Sequence, residues 1–292
     1  MKSPDIHYIT VIGAGQMGHQ IAMLCALGEY ETTIQDVSEA ALKKAEQLLY
    51  GIMNKWVLKG KISEQQLHAA LKRLSFTTNL ERACLKADFI IEAVVEKLEV
   101  KREVFAKLEE IAPPHAIFAT NSSTIVNSLL ASVTNRPEKV INMHFFFPPL
   151  VMDCVEVVRS TRTSNETARK TMDVCEKVNR TAILLNKEIS GFVANRLLGA
   201  LQKEALALYE QGIAEYQDID AICRKALHHP IGPFQLMDLS GIDVGYFVMQ
   251  QRYEETGDPA EQPTPLIIEK IKKGHLGRKT GRGWYEYENL IT

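Results

Sequence analysis

The 292-residue chain has 46% hydrophobic and 24% charged residues and a formal net charge of -2, which excludes a disordered chain and gives no electrostatic footprint for nucleic acid. No apolar run approaches the ~20 residues of a membrane span, and the five cysteines, Cys25, Cys84, Cys154, Cys175 and Cys223, form no C-x-x-C pair. A reduced, cytoplasmic protein is therefore expected, with no disulfide framework, no metal site, and two ordinary domains at this length; Asp5 close to Met1, with a strand following at once, leaves no room for a targeting segment.

Residues 7–12, HYITVI, are strand-like and run into Gly13-Ala14-Gly15-Gln16-Met17-Gly18, followed by the helix-like IAMLCAL. Strand, glycine turn and helix in that order suit a dinucleotide. Gly13 permits the tight turn, Gly15 admits a pyrophosphate, Gly18 lets helix and strand pack, and the helix start, with Gln16 and Met17 in the turn before it, faces the phosphates. Such a turn alone is weak, so its context decides. The next strand-like run, ETTIQ, ends at Asp36, eighteen positions after Gly18, where an acid can accept the ribose hydroxyls. No arginine follows in DVSEA, so NAD is favoured over NADP. The plainer alternative is that Asp36 begins a capping turn ahead of Ser38.

Apolar residues at three- and four-residue spacing predict one long helix from Glu39 to Leu58. Lys55 and Lys59 at its end, with Lys61 beyond, offer cations to a polyanionic tail, though a helix C-terminus favours cations in any case. Ser63 and Gln66 spell a capping box for a second helix to about Leu71, and the pair is expected to project as a hairpin suited to a long substrate. RLSFTT, a short helix near Leu80 to Leu85, the strand DFIIEAVV and the helix LEVKREVFAKLEEI continue a parallel-sheet pattern. Glu92 and Glu96 lie where a cofactor ribose is expected, or are simply turn residues.

The stretch from Asn121 to Glu156 gathers hydroxyls, a histidine and a carboxylate at what read as the ends of three successive strands. HAIFAT delivers Asn121, Ser122 and Ser123 ahead of a helix over IVNSLLASV, which these hydroxyls can also cap. His144 closes the run VINMH, which Pro148-Pro149 stops soon after. Glu156 sits in CVEVV, where a buried acid needs a partner. Ser164 can cap a helix to Val178, and TAILL reads as a last strand. Residues 188–292 read as all-α after a polar link at Lys187–Gly191. The first helix there has Phe192, Leu197, Leu201, Ala205 and Leu208 on its apolar face. Asp218 is placed as the next cap, and the chain breaks at Pro230 and Pro233 before a helix resumes after Gly241.

Oxidising an alcohol by hydride loss needs a base for the hydroxyl proton; a neutral imidazole serves without a metal, and Glu156 would orient it. A Ser-His-Glu hydrolase fails for want of a G-x-S-x-G elbow around Ser122 or Ser123. A strand-end histidine is otherwise commonly structural.

At these residues the sequence resembles the L-3-hydroxyacyl-CoA dehydrogenases, and within them the bacterial 3-hydroxybutyryl-CoA dehydrogenases. The resemblance rests on GAGQMG, IIEAVVE, ATNSST, KVINMHFFFP, VEVV, SGFVANRLL, HHPIGPF and GRKTGRGWYEY, spread over nearly the whole chain. It implies an α/β fold: a Rossmann-type, doubly wound, mostly parallel sheet over residues 1–187 with a helical hairpin insertion, then a C-terminal all-α domain for substrate and dimer contacts. The active site is expected in the cleft between the domains, of a homodimer that oxidises a short 3-hydroxyacyl-CoA with NAD. His144 looks like the general base, Glu156 its partner, and Ser123 and Asn195 the groups that hydrogen-bond the substrate oxygen. Lys55 and Lys59 fall near the coenzyme A positions, and Glu96 near the cofactor.

The chain departs from the family's His-Phe-Phe-Asn-Pro, which reads His144-Phe145-Phe146-Phe147-Pro148, and from Asn-Thr-Ser-Ser, which reads Asn121-Ser122-Ser123-Thr124. The first exchange bears on acyl-chain preference or turnover. The alternatives are a dehydrogenase for a free β-hydroxy acid and a relative that binds nucleotide without turnover.

Overall fold

The computed structural model describes residues 5–288, and the chain divides into two compact units, the first ending at Phe192 and the second beginning at Val193. The first unit starts with β1 (Tyr8–Ile12), α1 (Gly18–Leu27) and β2 (Glu31–Gln35), then α2 (Glu39–Leu58), α3 (Glu64–Arg73) and β3 (Leu74–Thr77). It continues through α4 (Leu80–Cys84), β4 (Phe89–Glu92), α5 (Leu98–Ile111), β5 (Ile117–Thr120), α6 (Asn127–Ala131), β6 (Val140–Phe145), β7 (Cys154–Val158), α7 (Asn165–Lys177) and β8 (Thr181–Leu185).

The eight strands form one sheet in the order β3-β2-β1-β4-β5-β6-β7-β8. All neighbours run parallel except β6 and β7. A parallel return needs a crossover of a dozen or more residues. The link from Phe146 to Asp153 contains Pro148 and Pro149 and no helix, so β7 can only return antiparallel. The strand order reverses between β1 and β4, and in such sheets ligands bind beyond the strand C-termini at that reversal.

Strand alternation divides the core between the two faces. Ile9, Val11, Ile34, Ile91 and Met143 pack with α1, α2, α3 and α7. Ile12, Ile90 and Phe118 pack with α4, α5 and α6. The α2 and α3 pair is less projecting than expected: Leu42, Ala45, Leu49 and Met53 are buried, and Leu67 and Ala70 join the same core. Ser38 caps α2 through Ala41, and both halves of the Ser63 and Gln66 capping box form. The β4 strand is shorter than its apolar run because Glu92 turns back to accept from the Val94 N–H at 2.7 Å. α6 is also shorter than expected and has no side-chain cap; Ser122 instead closes a turn ahead of it by accepting from the Ile125 N–H.

The second unit comprises α8 (Ala194–Glu210), α9 (Tyr216–Lys225), α10 (Pro233–Ser240), α11 (Ile242–Thr256) and α12 (Pro265–Lys272). Asp218 lies inside α9 and does not cap it. Pro233 opens α10, its missing N–H costing nothing at a first helical position. Leu197 is 67% exposed, off the buried face of α8 that holds Ala205 and Leu206. Phe234 and Trp284 pack at 4.6 Å within an aromatic cluster that includes Tyr209 and Tyr216. Two buried acids tie it together. Asp220 accepts from the N–H groups of Phe234 and Gln235 and from the Tyr285 hydroxyl, and Asp238 accepts from Trp284, Tyr285 and Tyr287. Among the described residues no helix is long and apolar enough to cross a membrane.

Candidate active site

The glycine turn follows β1 beside the strand-order reversal, and each glycine there has a different reason. Gly13 has φ +101, and a Cβ on it would stand 2.6 Å from the Ala93 carbonyl oxygen. A Cβ on Gly18 would collide with the Gly13 carbonyl. On Gly15 it would meet nothing within 4 Å. Folding thus does not require Gly15 to lack a side chain, and the open space beside it, at the start of α1, is where a pyrophosphate needs room. Gln16 and Met17 complete the turn: the Gln16 carbonyl accepts from the Gln20 amide and Met17 is the N-cap of α1.

Asp36 does make the turn ahead of Ser38, which itself caps α2. Its Oδ2 accepts the Ala14 N–H at 2.8 Å and its Oδ1 the Ser38 N–H at 2.9 Å, which joins the end of β2 to the glycine turn. These residues fit a dinucleotide. His19, absent from the sequence reading, is buried with Nδ1 2.6 Å from the Gly15 carbonyl; desolvation lowers its pKa, against the opposing effect of that hydrogen bond. The sequence signal was only a histidine on an apolar helix.

The polar row on the α5 side of the sheet follows from register. Glu92 pairs with Thr120, Thr120 with Asn142, and His144 with Glu156, so alternation sets them on one face at the C-terminal ends of β4, β5 and β6. Glu156 lies in the middle of β7 and not at a strand end; because β7 runs antiparallel, its middle faces the end of β6. The His144 Nδ1 stands 2.9 Å from the Glu156 Oε2, with the residues 5% and 3% exposed. Phe146 and Phe192 flank the ring at centroid distances of 4.6 Å and 5.4 Å. The Asn121 Oδ1 accepts the Phe145 N–H at 2.9 Å, so the end of β5 holds the end of β6 beside the imidazole.

The loop after β5 is organised by Glu96. Its Oε1 accepts from the Ser122 hydroxyl at 2.5 Å, from the N–H groups of Ser123 and Thr124 at 3.0 and 3.2 Å, and from the Thr124 hydroxyl at 3.1 Å. Burial alone would raise the pKa of Glu96, but Lys101 and the bonds from Ser122 and Thr124 hold it below the usual carboxylate value. The structure therefore brings Glu96 to the Ser123 loop. Among the described residues the Ser123 hydroxyl has no hydrogen-bond partner, so it is available to a ligand.

Lys101 also escaped the sequence reading, and Glu92, read as a ribose neighbour or a turn residue, is its partner. The Lys101 Nζ lies 2.7 Å from Glu92 and 3.2 Å from Glu96, with the lysine side chain 1% exposed. The Thr120 hydroxyl donates to the second Glu92 oxygen at 2.6 Å. The missed signal was a lysine in the first turn of α5, nine residues after a strand-end acid.

Phe147 is 58% exposed, and Phe146, not Phe147, touches His144. Lys55 and Lys59 are exposed at the end of α2, and no contact among the described residues joins them to His144. Asn195 is the second residue of α8, in the second unit.

A glycine turn made for a pyrophosphate, and an imidazole held by a carboxylate on the same sheet, are the parts of a dinucleotide-dependent dehydrogenase. Comparison with known proteins narrows the class. Residues 8–189 match the 3-hydroxyacyl-CoA dehydrogenase NAD binding domain, and residues 191–287 match that family's C-terminal domain. The 3-hydroxybutyryl-CoA dehydrogenase of Clostridioides difficile is 36% identical over 96% of this chain and 99% of its own. The solved (S)-3-hydroxybutyryl-CoA dehydrogenase from Ralstonia eutropha is similar at TM-score 0.92 and 34% identity, covering 98% of this chain and 100% of that one. A diketoreductase structure described as catalysing reactions of dicarbonyl compounds is 32% identical, with TM-score 0.87 over 97% of this chain and all of that one. The chain belongs to the 3-hydroxyacyl-CoA dehydrogenase family, and its N-terminal part is an NAD-binding domain.

Proposed function

We infer that the protein interconverts short (S)-3-hydroxyacyl-CoA and 3-ketoacyl-CoA, and that the 2.9 Å contact of His144 with Glu156 carries the acid–base step. With Glu156 on Nδ1, that nitrogen bears the ring proton, and Nε2 presents a lone pair to the C3 hydroxyl of the substrate. His144 takes the hydroxyl proton, and the Glu156 carboxylate stabilises the resulting imidazolium. NAD supplies the acceptor for the hydride leaving C3. In the reduction, His144 returns the proton. Ser123, with its hydroxyl uncommitted, and Asn195 hydrogen-bond the substrate oxygen. Gly13, Gly15, Gly18, Gln16, Met17 and Asp36 hold NAD, and Glu96 supports it indirectly by ordering the Ser123 loop. Lys55 and Lys59 receive the coenzyme A phosphates; their exposed ammonium groups support this reading.

Residues 1–187 would form the cofactor domain and 188–292 the substrate and dimer domain. Exposed Val244, Phe247 and Val248 on α11 support a homodimer formed through that domain, and light scattering during gel filtration tests it. Five free cysteines fit a cytoplasmic enzyme.

The deciding experiment follows NADH absorbance with acetoacetyl-CoA beside free acetoacetate. Consumption with the thioester alone supports this reading. Consumption with the free acid supports a dehydrogenase for a free β-hydroxy acid, and consumption with neither points to a relative without turnover. Phe147→Asn is expected to change the acyl-chain profile or raise turnover; an unchanged profile and rate would remove Phe147 from the substrate argument.

A further inference from the structure

On the α4 side, at the N-terminal ends of β1, β2 and β3, the sheet is open. The link from β3 to β4 carries only the five-residue α4, so the outer strands lack a full helical cover. Thr10, Thr33 and Ser75 stand in register there across three strands, with the buried Thr10 hydroxyl donating to the Ala83 carbonyl at 2.6 Å. Thr33 and Ser75 hydrogen-bond each other at 2.9 Å. The row floors a groove of about 370 Å³.

Four cations rim that groove: Lys72 and Arg73 at the end of α3, Arg82 on α4, and Lys86 just beyond. Glu31 is the single acid in its lining. Among the described residues none of the four cations forms an ion pair, and Arg73 reaches only the Ala26 carbonyl at 3.5 Å. The dipole of α3 explains a cation at its end. It does not explain four cations converging on one hydroxyl-floored groove in a chain whose net charge is -2. Like charges that line one groove repel one another, and a multiply charged anion relieves that repulsion while the Arg73 and Arg82 guanidinium groups supply directed donors.

We propose that this groove is a second ligand site, for a compact polyphosphate group. It is separate from the cofactor turn: each strand rises about 3.3 Å per residue, so the three residues from Thr10 to Gly13 put roughly 10 Å between the groove floor and the turn. The proposal is independent of the reaction assigned above.

The test is calorimetric titration of the full chain with inorganic triphosphate at about 0.15 M salt, where weak surface attraction is screened. One saturable site is expected, weakened tenfold or more in an Arg82→Gln, Lys86→Gln double variant whose NAD affinity is unchanged. Displacement by ATP supports the site and identifies the phosphate carrier, retention against ATP assigns it to inorganic polyphosphate, and displacement by coenzyme A, whose phosphates are assigned to Lys55 and Lys59, would overturn it. No saturable binding, equal binding by the double variant, displacement by NAD, or tighter binding of an oligonucleotide or an anionic vesicle would each overturn it.

Discussion

Replacing Glu156 with Gln keeps the size of the side chain and removes the charge that faces the His144 Nδ1. The two residues are 2.9 Å apart and almost fully buried, so solvent does not replace the lost partner. A hydrogen bond to a charged group contributes about 1.5–3 kcal/mol, and each ~1.4 kcal/mol is a factor of ten. Loss of transition-state stabilisation by that amount lowers kcat roughly 10–100-fold. His144→Ala removes the base itself and is expected to cost ~10²–10⁴-fold. Because Glu156 acts through the imidazole, the double variant should be no slower than His144→Ala alone. The assay is NADH oxidation with acetoacetyl-CoA at saturation, with NAD affinity measured separately and expected to hold in all three variants. A Glu156→Gln enzyme with wild-type kcat, or a double variant slowed by the product of the single effects, would refute the reasoning.

The glycine turn predicts opposite outcomes for two similar changes. Gly15→Ala should fold with a denaturation midpoint near wild type and lose NAD affinity, whereas Gly18→Ala should be destabilised before any ligand is added, because its Cβ would strike the Gly13 carbonyl; denaturation and NAD titration of both variants check this. Lys101→Met strands Glu92 at the centre of the sheet and should cost about 3–5 kcal/mol, with partial recovery when Glu92→Gln is added, read from urea midpoints. Asp88 is desolvated, which raises its pKa, but the N–H groups of Tyr8 and His7 and the His115 ring lower it below 3.8 overall. Its stabilisation is therefore present above about pH 3.8 and is lost as pH falls through the lower folded value. Asp88→Asn should lower the urea midpoint at pH 7, and the gap to wild type should narrow below pH 3.8; a constant gap would disprove the linkage.

Elements defined by periodicity or capping were legible in the sequence. α2 and α5 run as their apolar spacing predicts, and Ser63 with Gln66 makes the capping box its spelling promises. Elements whose ends are set by partners were not. Glu92 ends β4 by folding back on its own backbone, and the start of α10 at Pro233 is held by Asp220 of the preceding helix, which receives the N–H groups of Phe234 and Gln235. At the candidate site, His144 and Glu156 were readable as a lone imidazole and a lone acid in apolar strands. The Lys101 bridge between Glu92 and Glu96 was not, because a lysine in an amphipathic helix normally reads as solvated, and only the sheet register shows that this one is enclosed.

The antiparallel turn between β6 and β7 has an evolutionary consequence. Surface connections usually tolerate insertions and deletions. Here a single residue gained or lost between Phe146 and Asp153 that slipped the β7 register would turn Glu156 to the opposite face of the sheet and bring Val155 or Val157 beneath the imidazole. The length of this loop is therefore under the same selection as the pair it joins, and length changes here should be rarer among active descendants than substitutions in the loop.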